Sequence, residues 1–310
     1  MRKNTPRDIC FITGINEGYF LLCGMLMESL DRHFPLVPLH VMDFGLSDPQ
    51  REFFRRLGML LPLPAGLNRD DHPYKLKGAM RDYLDESLGA PIWIDADIIA
   101  LRDGTAELHA RWDEMDAAGQ DFALTGAYGR PDGLAETLEF VTAAQHMPRL
   151  SAFVRTNPAL GQRAYVNAAL IFFRHIDVIS GWRAASEAYE GDACWEQNAL
   201  NGMLDEHLSQ ALLLDARIWN MHGSLIDQLS GDVGNLLCGG ERTIFAHAAS
   251  PILGHLDEGV MDFNFGAHSY RNFVKLFHHA ALRELQMEYL TAFIHNHREL
   301  LDSLGIVQRA

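Results

Sequence analysis

The alternation of short apolar runs with helical segments over the first hundred residues is the feature that most constrains the fold. The apolar runs of strand length are residues 8–14, 38–45, 59–64 and 91–97. The intervening segments with apolar residues at helical spacing are 16–34, 47–58 and 76–89. Strands and helices that alternate in this way form parallel sheets covered by helices on both faces. The sequence therefore predicts an α/β fold with a Rossmann-like first half.

The second half has a less regular pattern. Its predicted strands are 121–127, 165–173 and 243–248, and its predicted helices are 181–190 and 194–208. Residues 129–163 hold several Gly and Pro and few apolar repeats, which predicts a mobile segment over the site. Residues 270–305 repeat large apolar side chains at close to helical spacing, which indicates helices packed on the domain or on a second subunit. We therefore expect a main domain over 1–268 and a C-terminal helical extension over 269–310, with a possible homo-oligomer through those helices.

Composition and charge narrow the class of protein. The chain has 310 residues, of which 48% are hydrophobic, so it can bury a large core. The formal charge of −15 argues against binding of nucleic acid or anionic lipid through bulk electrostatics. The chain has no apolar run of membrane-spanning length, no signal-peptide pattern, and four cysteines without C-x-x-C spacing. We expect a cytoplasmic protein with reduced thiols, no transmembrane segment and no nucleic-acid partner.

Two aspartates interrupt the apolar run "IWIDADIIAL" at 92–101. Burial of an unpaired carboxylate costs several kcal/mol. On an extended strand, Asp95 and Asp97 would project to the same side with Cα atoms roughly 6–7 Å apart, which suits one cation between them. Alternatively, Asp97 caps a turn and Asp95 bonds to backbone. If Asp95 and Asp97 lie in this run to bind a cation, the two facing carboxylates repel each other when the cation is absent. Asp97→Asn should then not destabilise the metal-free protein.

Several polar residues follow predicted strands at their carboxyl ends. Ligands bind beyond the carboxyl ends of strands in open α/β sheets. Asp43 and the pair Asp95 and Asp97 should therefore line one crevice, together with Gly14. Lysine is scarce in this chain, at positions 3, 75, 77 and 275, and two of the four lie in "YKLKG" just before the aspartates.

A series of motifs in one order resembles a known enzyme class. The series is a Rossmann-like half, a lysine-led helix, "IWIDADIIALRD", "YVNAALIFFR", "WEQNALN", "RIWN" and a strand that ends in His. Over residues 8–250 this order resembles the GT-A glycosyltransferases, especially the family 8 type related to glycogenin and bacterial lipopolysaccharide galactosyl- and glucosyltransferases. The resemblance implies a GT-A fold, with a mixed central sheet and helices on both faces.

The resemblance also implies a metal site. In that family the D-x-D motif holds a divalent cation, usually Mn²⁺, that bridges the diphosphate of a sugar nucleotide. By resemblance Asp97 is a direct ligand, Asp95 contacts the metal (Mn²⁺ or Mg²⁺) and the ribose, and His247 is the third ligand. Hard cations take carboxylate oxygens, and the cation offsets the charge that builds on the leaving diphosphate.

Further positions match residues that contact the sugar nucleotide in relatives. Lys77 would point toward the donor, although a solvated side chain in the first turn of a helix is the alternative. Asn167 would contact donor or acceptor, unless it is a hydrogen-bonded core residue. Gln197 falls where the reactive face of the sugar would be. Thr13 and Asn16 would contact the base and ribose.

One departure from the family concerns the phosphates. Relatives follow the histidine with Gly and Lys-Pro-Trp, whose lysine binds phosphate, whereas "HAASPILGHL" has no lysine. Phosphate neutralisation would then fall to Lys77 or an arginine. The resemblance implies a metal-dependent, retaining glycosyltransferase that moves a hexose from a nucleotide diphosphate sugar, with a UDP-sugar as the expected donor, to a glycan or lipid-linked acceptor. The alternatives are a non-catalytic sugar-nucleotide-binding protein of the same fold and a haloacid-dehalogenase-type phosphatase, which also carries D-x-D after an apolar strand.

Overall fold

The computed structural model of the chain describes residues 9–85, 88–127, 143–204, 208–249, 254–265, 268–306 and 308–309. The helices in this part are α1 (Phe20–His33), α2 (Asp48–Arg56), α3 (Pro73–Gly78), α4 (Met80–Tyr83), α5 (Thr105–Ala118), α6 (Ala143–His146), α7 (Pro148–Thr156), α8 (Trp182–Ala188), α9 (Trp195–Met203), α10 (Ala216–Trp219), α11 (Ala280–Asn296) and α12 (Arg298–Ser303). The strands are β1 (Ile9–Ile15), β2 (Leu39–Asp43), β3 (Leu60–Leu61), β4 (Ala90–Ile94), β5 (Ile98–Ala100), β6 (Phe122–Gly126), β7 (Val166–Phe173), β8 (Ala211–Leu214), β9 (Leu229–Ser230), β10 (Leu237–Cys238), β11 (Glu241–Arg242), β12 (Phe245–His247), β13 (Leu256–Phe265), β14 (His268–Phe277) and β15 (Gln308–Arg309).

A seven-stranded sheet in the order β3-β2-β1-β4-β7-β6-β8 forms the centre of the molecule. Strands β1 to β4 are parallel, as the alternation in the sequence predicts. Strand β7 is antiparallel to both β4 and β6, so the sheet is mixed. The mixed sheet implied by the resemblance is thus confirmed.

The first half follows the sequence pattern closely, with two differences. Helix α2 begins with a capping box, in which the Gln50 amide oxygen accepts a hydrogen bond from the Ser47 N–H at 3.2 Å. The helix predicted over 76–89 is wrong, because the chain instead forms the two short helices α3 and α4. The predicted strand at 59–64 is reduced to two residues.

Only part of the predicted mobile segment, residues 129–163, lies among the described residues. Residues 129–142 lie outside the described residues. The remainder forms α6, α7 and a 3₁₀ turn at Pro158–Gln162, so it has regular local structure.

The C-terminal region differs from its predicted helical structure. Residues 268–277 form β14, which pairs antiparallel with β13 in a long hairpin, so the prediction of helix over 270–277 is wrong. Helix is confirmed for 280–303. The predicted domain boundary at 268/269 falls inside this hairpin, and the division into two domains stays a prediction.

Helix α11 packs on α1 within the same chain. Its buried side chains include Leu285, Tyr289 and Phe293. A Cβ on Gly24 of α1 would lie 2.6 Å from the Phe293 ring, so glycine is what permits this close approach. The sequence predicts that the C-terminal helices pack on the domain or on a second subunit, and the structure shows them packed on the domain. In the part of the chain that the structure describes, no helix is both long and apolar enough to cross a membrane.

Candidate active site

The two aspartates lie in the turn between β4 and β5. The Asp95 N–H continues the ladder with β7 by donating to the Ala169 carbonyl at 2.8 Å. The Ile98 N–H then donates back to the Asp95 carbonyl at 3.1 Å, which closes the turn. The aspartates are therefore presented by a turn and not by an extended strand, because β4 ends at Ile94. The turn still directs both side chains into one cavity.

His247 reaches the aspartates through a small two-stranded ladder. Strand β12 pairs antiparallel with β5, which places His247 opposite Ile98. The Ala248 N–H donates to the Asp97 carbonyl at 2.9 Å and fixes the end of β12 against the turn. One ligand atom each from Asp95, Asp97 and His247 lies within 4.8 Å of the others. The structure thus brings together the three residues predicted as metal ligands.

Asn220 orients the His247 ring. The Asn167 Oδ1 accepts from the backbone N–H of Ala169, which identifies it as an acceptor. Asn220 Nδ2 donates to Asn167 Oδ1 at 3.0 Å, so Asn220 Oδ1 is the atom that faces His247 Nδ1 at 3.0 Å. His247 Nδ1 must therefore carry a hydrogen, and Nε2 is the atom that points toward Asp97 Oδ1 at 3.3 Å. These two atoms face each other across the point where a cation would bind both.

Lys275 is a site residue that the sequence reasoning missed. It lies on β14, and its Nζ donates to Asp97 Oδ2 at 2.7 Å. Burial alone would raise the pKa of Asp97, but Lys275 and His247 hold it well below its usual range. Burial would lower the pKa of Lys275, and Asp97 raises it above its ordinary value instead. Two features of the sequence could have indicated Lys275: lysine is scarce in this chain, and this lysine lies in an apolar run.

Lys77 provides the positive charge next to the other aspartate, Asp95. Its Nζ lies 2.8 Å from Asp95 Oδ1 and 3.6 Å from Glu196 Oε1. The Trp93 Nε1–H also donates to Asp95 Oδ1 at 2.6 Å. The Lys77 side chain is buried, so the alternative of a solvated residue does not hold. Burial would lower the pKa of Lys77, but Asp95 and Glu196 raise it, so the side chain carries its charge.

A cavity of about 420 Å³ opens over these groups. That volume is typical of a small-molecule site. The polar and aromatic residues of its wall are Asn16, Tyr19, Phe44, His72, Tyr74, Lys77, Trp93, Asp95, Asp97, Asn167, Cys194, Glu196, Gln197, His222, His247 and Lys275. Thr13 is fully buried and is not part of this wall as far as the described residues define it, so the structure does not bring Thr13 to the site.

Two buried oxygens in the wall have no hydrogen-bond partner among the described residues. They are Asn16 Oδ1 and Glu196 Oε2. Burial raises the pKa of the Glu196 carboxyl and Lys77 opposes that rise. Buried polar atoms are nearly always paired in native proteins. These two oxygens are therefore positioned to receive hydrogen bonds from a bound molecule.

Other predicted contact residues line the cavity but already have protein partners. The Gln197 Oε1 accepts from the Ala168 N–H at 3.0 Å, and the Asn167 Oδ1 accepts from Ala169 and Asn220. Asn201 bonds α9 to β7 by accepting from the Val166 N–H at 2.9 Å. His222, which the sequence reasoning missed, lies against His247, and its pKa is lowered to about 4 by burial.

Comparisons with known proteins show what this fold resembles. No protein-family model and no curated protein matches the sequence. The structure is similar to that of the galactosyltransferase LgtC in complex with donor and acceptor sugar analogues, with a TM-score of 0.54, 13% sequence identity, and coverage of 94% of this chain and 99% of that one. It is also similar to the glycosyltransferase GlyE of Streptococcus pneumoniae, with a TM-score of 0.51, 13% identity, and coverage of 97% of this chain and 64% of that one.

These likenesses establish the fold. The chain has the GT-A fold of these glycosyltransferases, with its mixed seven-stranded sheet flanked by helices. The acidic turn, the late histidine and the cavity lie beside the carboxyl end of β4 in this fold.

Proposed function

We propose that this protein is a glycosyltransferase that binds a nucleotide diphosphate sugar and a divalent cation in the cavity above Asp95 and Asp97. The observation that carries the proposal is the convergence of Asp95, Asp97 and His247 to within 4.8 Å in a GT-A fold. Two carboxylates and one imidazole form a donor set that suits Mn²⁺ or Mg²⁺. The orientation of His247 Nε2 toward Asp97 supports a cation at this point.

The residues around the cavity have separate tasks in this proposal. Asp95, Asp97 and His247 would hold the cation, which supplies charge compensation for the leaving diphosphate. The unpaired Asn16 Oδ1 accepts from the ribose or base, and the unpaired Glu196 Oε2 accepts from a hydroxyl of the sugar. Gln197 and Asn167 line the wall where the sugar would lie.

The finer features of the function rest on the sequence resemblance to family 8 enzymes. They are a UDP-linked hexose as donor, retention of anomeric configuration, a glycan or lipid-linked acceptor, and a cytoplasmic location. The negative net charge agrees with recognition of the donor through local groups and not through a basic surface. The GT-A fold gives no support to the phosphatase alternative.

A screen of nucleotide sugars for release of nucleoside diphosphate tests the proposal. We expect turnover of at least one UDP-sugar in Mn²⁺ or Mg²⁺, and none in excess EDTA. Binding of nucleotide sugars without turnover of any would favour the non-catalytic alternative, and equal turnover in EDTA would exclude the metal site.

A further inference from the structure

The C-terminal hairpin fixes the backbone of Lys275 beside the acidic turn. Val274 and Leu276 are buried on one face of β14, so Lys275 points to the other face, toward Asp97. The side chain of Gln286 on α11 forms hydrogen bonds with the backbone of this part of the strand at two positions. Its Nε2 donates to the Lys275 carbonyl at 2.8 Å, and its Oε1 accepts from the Phe277 N–H at 2.9 Å. The strand is therefore held in place, and movement at this point is left to the lysine side chain.

Lys275 and Lys77 are engaged to different degrees. Lys77 is held by two carboxylates and lies 5.0 Å from the centroid of the Trp93 ring. Among the described residues, Lys275 forms an ion pair with one carboxylate, that of Asp97, and it lies 5.8 Å from the Tyr19 ring centroid. Within the described part of the cavity wall these two are the lysines, and the wall contains no arginine. Lys275 is accordingly the cation that can leave its partner at lower cost.

The balance of charges in the site bears on how ligands would bind. Asp95 and Asp97 each pair with one lysine, so the two lysines offset the charges of the two aspartates, and Glu196 is a further buried carboxyl 3.6 Å from Lys77. A divalent cation that binds alone between His247 Nε2 and Asp97 Oδ1 brings two positive charges close to Lys275, which holds Asp97 Oδ2, and this repulsion in a buried site is unfavourable. A diphosphate that arrives with the cation offers the ammonium of Lys275 a new anionic partner. The cation and the diphosphate should therefore bind together.

We infer that Lys275 couples the cation to the donor diphosphate. It pairs with Asp97 in the unloaded protein and turns to the diphosphate when the cation takes Asp97. This inference rests on the proposed function. It assigns the phosphate contact, absent after His247, to a lysine from the C-terminal hairpin and not to Lys77 or an arginine.

The test is a pair of binding titrations on Lys275→Met, with Mn²⁺ alone and with UDP in the presence of Mn²⁺. We expect the variant to bind Mn²⁺ alone about tenfold more tightly, because its competitor for Asp97 is gone. We expect UDP with Mn²⁺ to bind about tenfold more weakly, because a charge-assisted contact is lost. Lys275→Arg should restore both affinities toward wild type, and Lys75→Met should change neither.

The two titrations can fail separately. Unchanged affinity for Mn²⁺ alone would overturn the competition at Asp97, and unchanged affinity for UDP would overturn the phosphate contact. Lys275→Gln, which is neutral but polar, replaces Lys275→Met if the methionine variant does not fold. A wild-type protein that binds no nucleotide would overturn the proposed function, whereas the effect of the variant on Mn²⁺ alone still tests Lys275.

Discussion

At the scale of single residues, the state of Asp97 is set by its neighbours. From the sequence alone, Asp95 and Asp97 are expected to repel each other when no cation is bound. In the structure each one has its own lysine, at 2.8 and 2.7 Å. The expectation that Asp97→Asn leaves the metal-free protein at least as stable is therefore reversed, because the substitution leaves the Lys275 ammonium buried without its counter-charge.

A double-mutant cycle of Asp97→Asn and Lys275→Met tests this ion pair. We expect Asp97→Asn to lower the free energy of unfolding by roughly 3 kcal/mol in the wild-type background. In the Lys275→Met background the same change should cost far less, because there is no stranded charge, which gives a coupling energy of about 2 kcal/mol or more. Denaturant unfolding of the metal-free proteins gives these values.

The pair Asp71 and Lys75 provides the control for this cycle. It has the same 2.7 Å separation but is more exposed, at 19% and 31% of the side-chain surface. Exposed pairs at this spacing couple by about 0.5 kcal/mol or less. Equal coupling in the two cycles would mean that burial does not strengthen the Asp97–Lys275 pair.

At the scale of elements, the site depends on two antiparallel pairings distant in sequence. The β5–β12 ladder brings His247 to Asp97, and the β13–β14 hairpin brings Lys275 to the same residue. Helix α11 fixes the hairpin through the buried side chain of Gln286. The C-terminal helices are therefore part of the support of the site.

Gln286→Leu should loosen β14 around Lys275. The substitution removes one acceptor and one donor, and it leaves a backbone N–H and a carbonyl unsatisfied in a buried setting, at a cost of roughly 2 kcal/mol or more. We expect lower stability and faster hydrogen exchange at Phe277. Glu284→Leu, an exposed change on the same helix, should affect neither. Unaltered exchange at Phe277 in Gln286→Leu would show that the clamp does not hold the strand.

At the scale of the whole molecule, local sequence signals predicted the first half of the fold well. Strands β1, β2 and β4 and helices α1 and α2 follow from periodicity and capping residues. The direction of β7 did not follow, because the alternation of elements does not fix the direction of a strand after an irregular connection. Residues 273–277 fit both periods: Phe273 and Phe277 are four apart, while the buried Val274 and Leu276 are two apart. Pairing with β13, which the sequence analysis did not identify, makes this segment a strand.

The residues of the candidate site were also predicted only in part from the sequence. Asp95 and Asp97 are visible as carboxylates in an apolar run, and His247 was indicated by the order of the motifs. Lys275 is 178 positions from Asp97 along the chain, and its contact exists only through the hairpin. Thr13 was expected at the site because it lies near the end of β1, but it is fully buried and is not part of the described cavity wall. Contacts made by tertiary pairing are the part that this sequence did not reveal.

The most direct test of the central claim is the stabilisation of the protein by UDP with and without a divalent cation. At a UDP concentration one hundred times its dissociation constant, Mn²⁺ present, we expect about 2.7 kcal/mol of added stability by thermal or denaturant unfolding. The same UDP in excess EDTA should add little, since the diphosphate would meet Asp95 and Asp97 without a cation between them. Asp97→Asn, compared with its own unliganded baseline, should lose the Mn²⁺-dependent gain. Equal stabilisation by UDP in Mn²⁺ and in EDTA would contradict the account.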